Sequence, residues 1–244
     1  MPINAPLLIV LSTILAYFLK VIAGFGASLI LVPILSSSLD MKTATILACL
    51  GDIFSSGIIF KKFIKQVKWR VVFKVGIGLF IGTFIGVSLF TRIDAEILKK
   101  MFGLFILIYV ALQVFDSLVL KKSRRIPLTT APIWGLFAGI TGGVFNINGP
   151  LLVIFMNNSL KNKNEIRANL MALFFIDSIW RGFLFLIKGN ISIVHVQTFG
   201  LIMLPTLLLT LLTAFKIDEK IKKKQYNSIY QIVLLLTGFK LFFA

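Results

Sequence analysis

Apolar tracts follow one another along nearly the whole chain, at about residues 5–19, 21–38, 43–60, 71–91, 97–119, 129–145, 149–157, 168–187, 192–215 and 227–243. A helix needs roughly 20 apolar residues to cross the hydrocarbon core of a bilayer. Lipid offers backbone N–H and C=O groups no partner, so only helices and closed barrels can span it. A barrel needs apolar residues at every second position, whereas stretches such as 71–89 and 229–243 are apolar on all sides. Helices are therefore expected. Only 14% of the 244 residues are charged, against about 25% in a soluble domain. The gaps between tracts leave no room for an extramembrane domain.

The formal net charge is +17. Its placement argues against nucleic acid as a partner, because Lys and Arg crowd into short gaps between apolar tracts, as cytoplasmic loops of membrane proteins require. Cys49 is the only cysteine and His195 the only histidine. An internal disulfide, a cysteine cluster and a two-histidine metal site are thus not expected, and no metal or cofactor is predicted. No Lys or Arg precedes Lys20, so the start lacks the basic region of a cleaved signal peptide and is expected to be retained.

The chain also repeats itself. Asp52 lies within TILACLGDIFSSGIIF and Asp177 within LMALFFIDSIWRGFLF. After each comes a long apolar helix that ends alike, at Arg92-Ile93-Asp94-Ala95-Glu96 and at Lys216-Ile217-Asp218-Glu219, and one more apolar helix closes each half. Before each Asp helix lies a broken segment, AGFGASLILVP (23–33) and GGVFNINGPLLV (142–153). The predicted units are 1–120 and 126–244. Duplication of this kind places a transporter's site at the repeat interface.

Charge predicts the topology. If each broken segment crossed the membrane once, the basic loops 61–70 and 216–224 would fall on opposite sides. If each is a re-entrant hairpin, loops 61–70, 121–125, 161–167 and 216–224 share a face with 17 basic residues. The other face then holds five, Lys42, Arg92, Lys99, Lys100 and Lys188. That bias marks a cytoplasmic face. The expected architecture is an all-α integral membrane protein of two inverted repeats, each a re-entrant hairpin plus three spans, with both termini outside.

Broken helices are tolerated in a membrane only where protein or a watery cavity satisfies the freed backbone. Gly24, Gly26, Ser28 and Pro33 form one predicted break. Gly142, Gly143, Asn146, Asn148, Gly149 and Pro150 form the other. Small residues let backbone approach a ligand, and half-helix N-termini aim free N–H groups and positive dipole ends at it. Asn146 and Asn148 add amide donors. Lys20, expected between the half-helices of the first hairpin, and Arg181 within a span could supply positive charge to an anion. Asp52 and Asp177 could carry protons or form ion pairs with the basic groups. Each ionisable residue costs roughly 2.5–3.5 kcal/mol at a helix centre unless paired or hydrated; snorkelling of Lys20 or Arg181 to an interface is the structural alternative. Tight helix packing is the corresponding alternative for the glycines. Lys74 and Lys240 are expected to snorkel. Trp69, Trp134 and Trp180 fit interface anchoring, although Trp180, beside Arg181, could line a cavity. No Gly-x-Ser-x-Gly elbow, His-Glu-x-x-His, phosphate-binding loop or Asp-rich metal motif occurs, so no catalytic residues are expected and the chain does not read as an enzyme.

With these features in place, the sequence resembles the sulfite exporter TauE/SafE family of bacterial membrane permeases. The resemblance is carried by GFGASLILVP (24–33), its echo GGVFNINGPLLV (142–153) and the repeated four-segment halves, and it spans essentially the whole chain. It implies movement of small sulfur-containing anions such as sulfite, sulfonates or thiosulfate across a bacterial inner membrane. Where that family commonly has consecutive glycines before the second proline, Asn146-Ile147-Asn148 intervenes. The expected function is secondary transport of a small anion by alternating access, with protons as a candidate coupling ion. An anion channel and a non-transporting membrane subunit are the alternatives.

Overall fold

The computed structural model describes residues 5–119 and 126–218. The last predicted helix at 227–243, the basic residues beyond 218, Lys240 and both chain termini lie outside the described residues. The helices are α1 (Ala5–Ala23), α2 (Ala27–Leu35), α3 (Met41–Phe63), α4 (Trp69–Arg92), α5 (Ala95–Val119), α6 (Ala131–Phe145), α7 (Gly149–Ser159), α8 (Lys163–Ile187), α9 (Ile193–Thr198) and α10 (Leu204–Asp218). A single π turn, Phe199–Met203, joins α9 to α10. Among the described residues, five helical stretches are long and apolar enough to cross a membrane: Met41–Gln66, Trp69–Arg92, Leu128–Phe145, Lys163–Ile187 and Ile193–Ile217.

Local chemistry sets the helix ends. Asp40 starts α3 by accepting from the Thr43 backbone N–H, and Asn162 starts α8 by accepting from that of Asn164, each satisfying an orphan donor of the first turn. Gly24 and Gly26 sit at φ 85° and 89°, a left-handed geometry that a Cβ disfavours. Asn146 takes the same geometry at the end of α6, φ 61°, and its N–H closes onto the Gly142 carbonyl. Asparagine is the residue after glycine that best tolerates this position.

Contacts between helices set their directions. Lys68 pairs with Glu165, Thr83 bonds Asp177 and Phe90 packs on Phe185, so α8 runs parallel to α4. Helix α6 also runs parallel to α4. Gly78, Gly82 and Gly86 oppose the carbonyls of Pro132, Leu136 and Ile140, while Gly135 and Gly139 oppose those of Val75 and Leu79. Helices α6 and α8 both point along α4, so α7 between them must return. The return is closed by hydrogen bonds from Ile126 N–H to Asn158 O and from Ser159 Oγ to Ile126 O. Thus α6–α7 is a hairpin that enters and leaves at one end of the molecule, although its first limb is long enough to span.

Hairpin α1–α2 enters from the other end. Tyr17 bonds Ala48 O and Lys20 reaches Asp52, Ser55 and Ser56, so α1 runs alongside α3 in the same direction. Helix α2 packs on α1 and leads back to the start of α3. Asn190 bonds Thr91 and Thr43 bonds His195 at this end. The other end gathers loop 61–70, the base of α6–α7 and the start of α8. Helix α10 packs on α1, as α4 packs on α6, and α3 packs on α8 between them.

Large apolar side chains cover the outside. On α4, Phe73, Ile77, Ile81 and Phe84 are exposed, Phe73 at 69%, and the opposite stripe carries the glycines. Such a girdle would be costly in water and is at home in lipid. Lys20 and Arg181 do not snorkel: they are 3% and 1% exposed.

Candidate functional site

The two breaks meet inside the molecule. Asn146 donates from Nδ2 to Ser28 Oγ (2.7 Å) and to Asp52 Oδ2 (2.9 Å), binding the second break to the first hairpin and to α3. A Cβ at Gly149 would lie 3.0 Å from the Phe25 ring, so the two tips touch. A small cavity lies between them. Lys20, Phe25, Gly26, Ser28, Asp52, Asn146, Asn148, Gly149, Pro150, Phe174 and Arg181 are among its lining residues.

Both half-helices present their N-termini there. Helix α2 starts at Ala27 after Gly26, and α7 starts at Gly149 after Asn148. The first N–H groups of a helix have no internal partner and carry the positive end of its dipole. Pro150 stands in the first turn of α7, where a missing N–H removes no helical bond.

Two ion pairs flank the cavity. Lys20 Nζ lies 2.6 Å from Asp52 Oδ1 and donates to Ser55 and Ser56, both at 2.9 Å. The three ammonium protons are thereby used. Ser28 Oγ donates to Asp52 Oδ2 at 3.0 Å. On the other side, Arg181 Nη1 lies 3.0 Å from Asp177 Oδ2 and 2.9 Å from Gly142 O. Asn148 Nδ2 donates to Asp177 Oδ2 at 2.7 Å, and Thr83 Oγ1 donates to Oδ1. Each buried carboxylate thus holds one cation, one hydroxyl donor and one amide from the second break. Pairing and hydrogen bonding are what make buried charge affordable.

The structure brings together Lys20, Gly26, Ser28, Asn146, Asn148, Gly149, Pro150, Arg181 and Asp52 at one cavity, with Asp177 behind Arg181. Gly24 shapes the turn without lining the cavity. Three expectations change. Lys20 belongs to the last turn of α1 rather than lying between the half-helices, because α1 continues to Ala23. Ser28 and Pro33 lie inside α2, and Gly142 and Gly143 inside α6, so the backbone breaks are only 24–26 and 146–148. Gly143 serves the α4–α6 contact, whereas Gly142 supplies the carbonyl for Arg181. Trp180 does not line the cavity; it donates to Phe80 O across the α4–α8 contact.

Sequence reasoning missed Ser55, Ser56, Thr83 and Phe25. The serines stand three and four residues after Asp52, one turn along the same face, a spacing that could have revealed them. Thr83 had no such signal, because its partner lies 94 residues away.

The fold and site define a multi-pass helical membrane protein with a buried polar site at two opposed helix breaks. The chain belongs to the sulfite exporter TauE/SafE family, whose profile matches residues 9–241. It is also similar to a Methanocaldococcus jannaschii protein named as a probable membrane transporter protein, with 29% identity over 164 residues. That match covers 61% of this chain and 60% of the relative, so the chain spans about three fifths of the length of the curated relative it matches. No solved structure matches.

Proposed function

We propose that the protein is a secondary transporter for a small anion, with sulfite or another sulfur-containing oxyanion or organosulfonate as the substrate class. The observation that carries this reading is the convergence of two half-helix N-termini, Lys20 and Arg181 on one cavity. Backbone N–H groups, amides and two cations suit a pyramidal or tetrahedral oxyanion, since each of its oxygens accepts hydrogen bonds. Family membership favours a sulfur oxyanion within that class.

The division into inverted repeats, 1–120 and 126–244, belongs to the same proposal. It is supported by the entry of the two hairpins from opposite ends and by the reciprocal packing of α4 on α6 and α10 on α1. Alternating access would then rock one hairpin assembly against the other around the shared cavity. The end bearing loops 61–70 and 161–167 is assigned to the cytoplasm by its basic charge.

A flux screen in proteoliposomes tests the reading, with sulfite, thiosulfate, sulfate, sulfonates and unrelated carboxylates as probes. Saturable uptake confined to the sulfur oxyanions is the expected result. Equal or absent flux for all probes refutes it, and flux that rises without saturation indicates a channel.

A further inference from the structure

We infer that the carboxylate of Asp52 is a tethered occupant of the anion subsite, which an incoming monovalent oxyanion displaces as Asp52 takes up one proton. The inference rests on the transporter reading above.

Charge balance is its first support. Lys20, Arg181, Asp52 and Asp177 are all buried and carry two charges of each sign, so the resting site is neutral. A bound monoanion would leave one negative charge uncompensated where water is scarce, a large penalty. Protonating one carboxylate removes it. The proton ends on an Asp oxygen, the ammonium and the Ser28 and Asn146 donors are released, and the anion accepts from them. No bond other than the O–H forms or breaks.

The surroundings select Asp52 over Asp177. Asp52 lines the cavity and its side chain is 12% exposed; Asp177 is outside the lining and 1% exposed. The donors to Asp52 are those an oxyanion needs: an ammonium, a hydroxyl and an amide, drawn from α1, α2 and the second break. The polar and charged groups around it are Lys20 and Tyr17 on α1, Ser28 on α2, Ser55 and Ser56 on α3, Asn146 at the break and Arg181 on α8. Arg181 in turn contacts Cys49 and Asp177. Asp177 is instead held by Thr83, Asn148 and Arg181, and positions the guanidinium. Arg181 reaches the cavity with its Nε unpartnered, an unused donor at a buried site.

Asn146 fits both protonation states. Its Nδ2 donates to the carboxylate, while its buried Oδ1 has no partner. A half-turn of the amide presents Oδ1 as the acceptor that a protonated Asp52 requires.

Methanesulfonate, a monoanion of constant charge, is the probe; sulfite is avoided because it titrates near neutrality. Its binding to purified full-length protein is measured as a function of pH, alongside uptake of the anions screened above. One linked proton makes wild-type affinity fall about tenfold per pH unit on the alkaline side. Asp52→Asn, which mimics the protonated acid, is expected to bind more tightly and lose this slope. Asp177→Asn is expected to keep it. Melting curves establish that each variant is folded, and an unfolded Asp177→Asn leaves the decision with Asp52→Asn. Flat wild-type affinity, or a slope that survives in folded Asp52→Asn, overturns the inference while leaving the transporter reading intact. An unfolded Asp52→Asn also counts against it, by making Asp52 a structural partner. If the wild type neither binds methanesulfonate nor transports any sulfur oxyanion, both readings fall.

Discussion

Replacing Gly82 with alanine tests whether the α4–α6 contact organises the site. Alanine is the better helix former by about 1 kcal/mol, so without tertiary contact the substitution should stabilise. Here an added Cβ would lie 2.1 Å from the Leu136 carbonyl oxygen. Close carbon–oxygen contacts sit near 3.3 Å, so the helices must part by about 1.2 Å. Overpacking of this kind costs roughly 1–3 kcal/mol. The next residue, Thr83, donates to Asp177, and weakening a hydrogen bond to a charged group adds up to about 1.5–3 kcal/mol. After the helix-propensity gain, the expected net loss is about 1.5–5 kcal/mol. That corresponds to a drop in melting temperature of roughly 3–20 °C for a chain of this size. Gly76, on the same helix, is the control, because an added Cβ there meets nothing within 4 Å. Gly76→Ala should be neutral or stabilising by up to about 1 kcal/mol. The assay is thermal unfolding of both variants in one detergent. A Gly82→Ala protein as stable as Gly76→Ala would refute the reasoning.

Lys20→Ala leaves Asp52 buried without its cation and is expected to destabilise by about 3–5 kcal/mol; Lys20→Met with Asp52→Asn should regain much of that loss without regaining anion affinity. Phe25→Cys with Gly149→Cys, in a Cys49→Ser background, should cross-link under mild oxidation, because a Cβ at 149 lies 3.3 Å from that of Phe25. Transport is expected to stop in the cross-linked protein and return on reduction; unimpaired transport with the tips joined would show that they need not separate. Reporter tags at residues 66 and 220 should both read as cytoplasmic, and opposite readings would refute the inverted topology.

Residence in the membrane, helical character and the approximate positions of both breaks were legible in the sequence. They depend on local quantities: the length of an apolar run, the left-handed preference of Gly24 and Gly26, and the weak helix propensity of Asn146-Ile147-Asn148. The matched placement of Asp52 and Asp177 was legible for a related reason, since an ionisable group in an apolar helix stands out against its neighbours. The glycine spacing of α4 and α6 was also present in the sequence, at 78, 82 and 86 and at 135, 139 and 143. Nothing local says that these two stripes face each other, rather than a second copy or lipid.

Partner choice was decided only by the tertiary structure. Asp177 pairs with Arg181 one turn away on its own helix, whereas Asp52 reaches back 32 residues to Lys20. Both are carboxylates in long apolar helices, so composition and periodicity treat them alike. Their difference arises because α1 brings a cation to one, while α4 and the second break enclose the other. The sequence by itself determined that this chain is helical, lies in lipid and is interrupted twice, because those properties follow from runs of residues and their backbone preferences. Which carboxylate faces the cavity, and which is sealed behind an arginine, depends on residues up to 118 positions apart meeting in space, and only the packed fold supplies that.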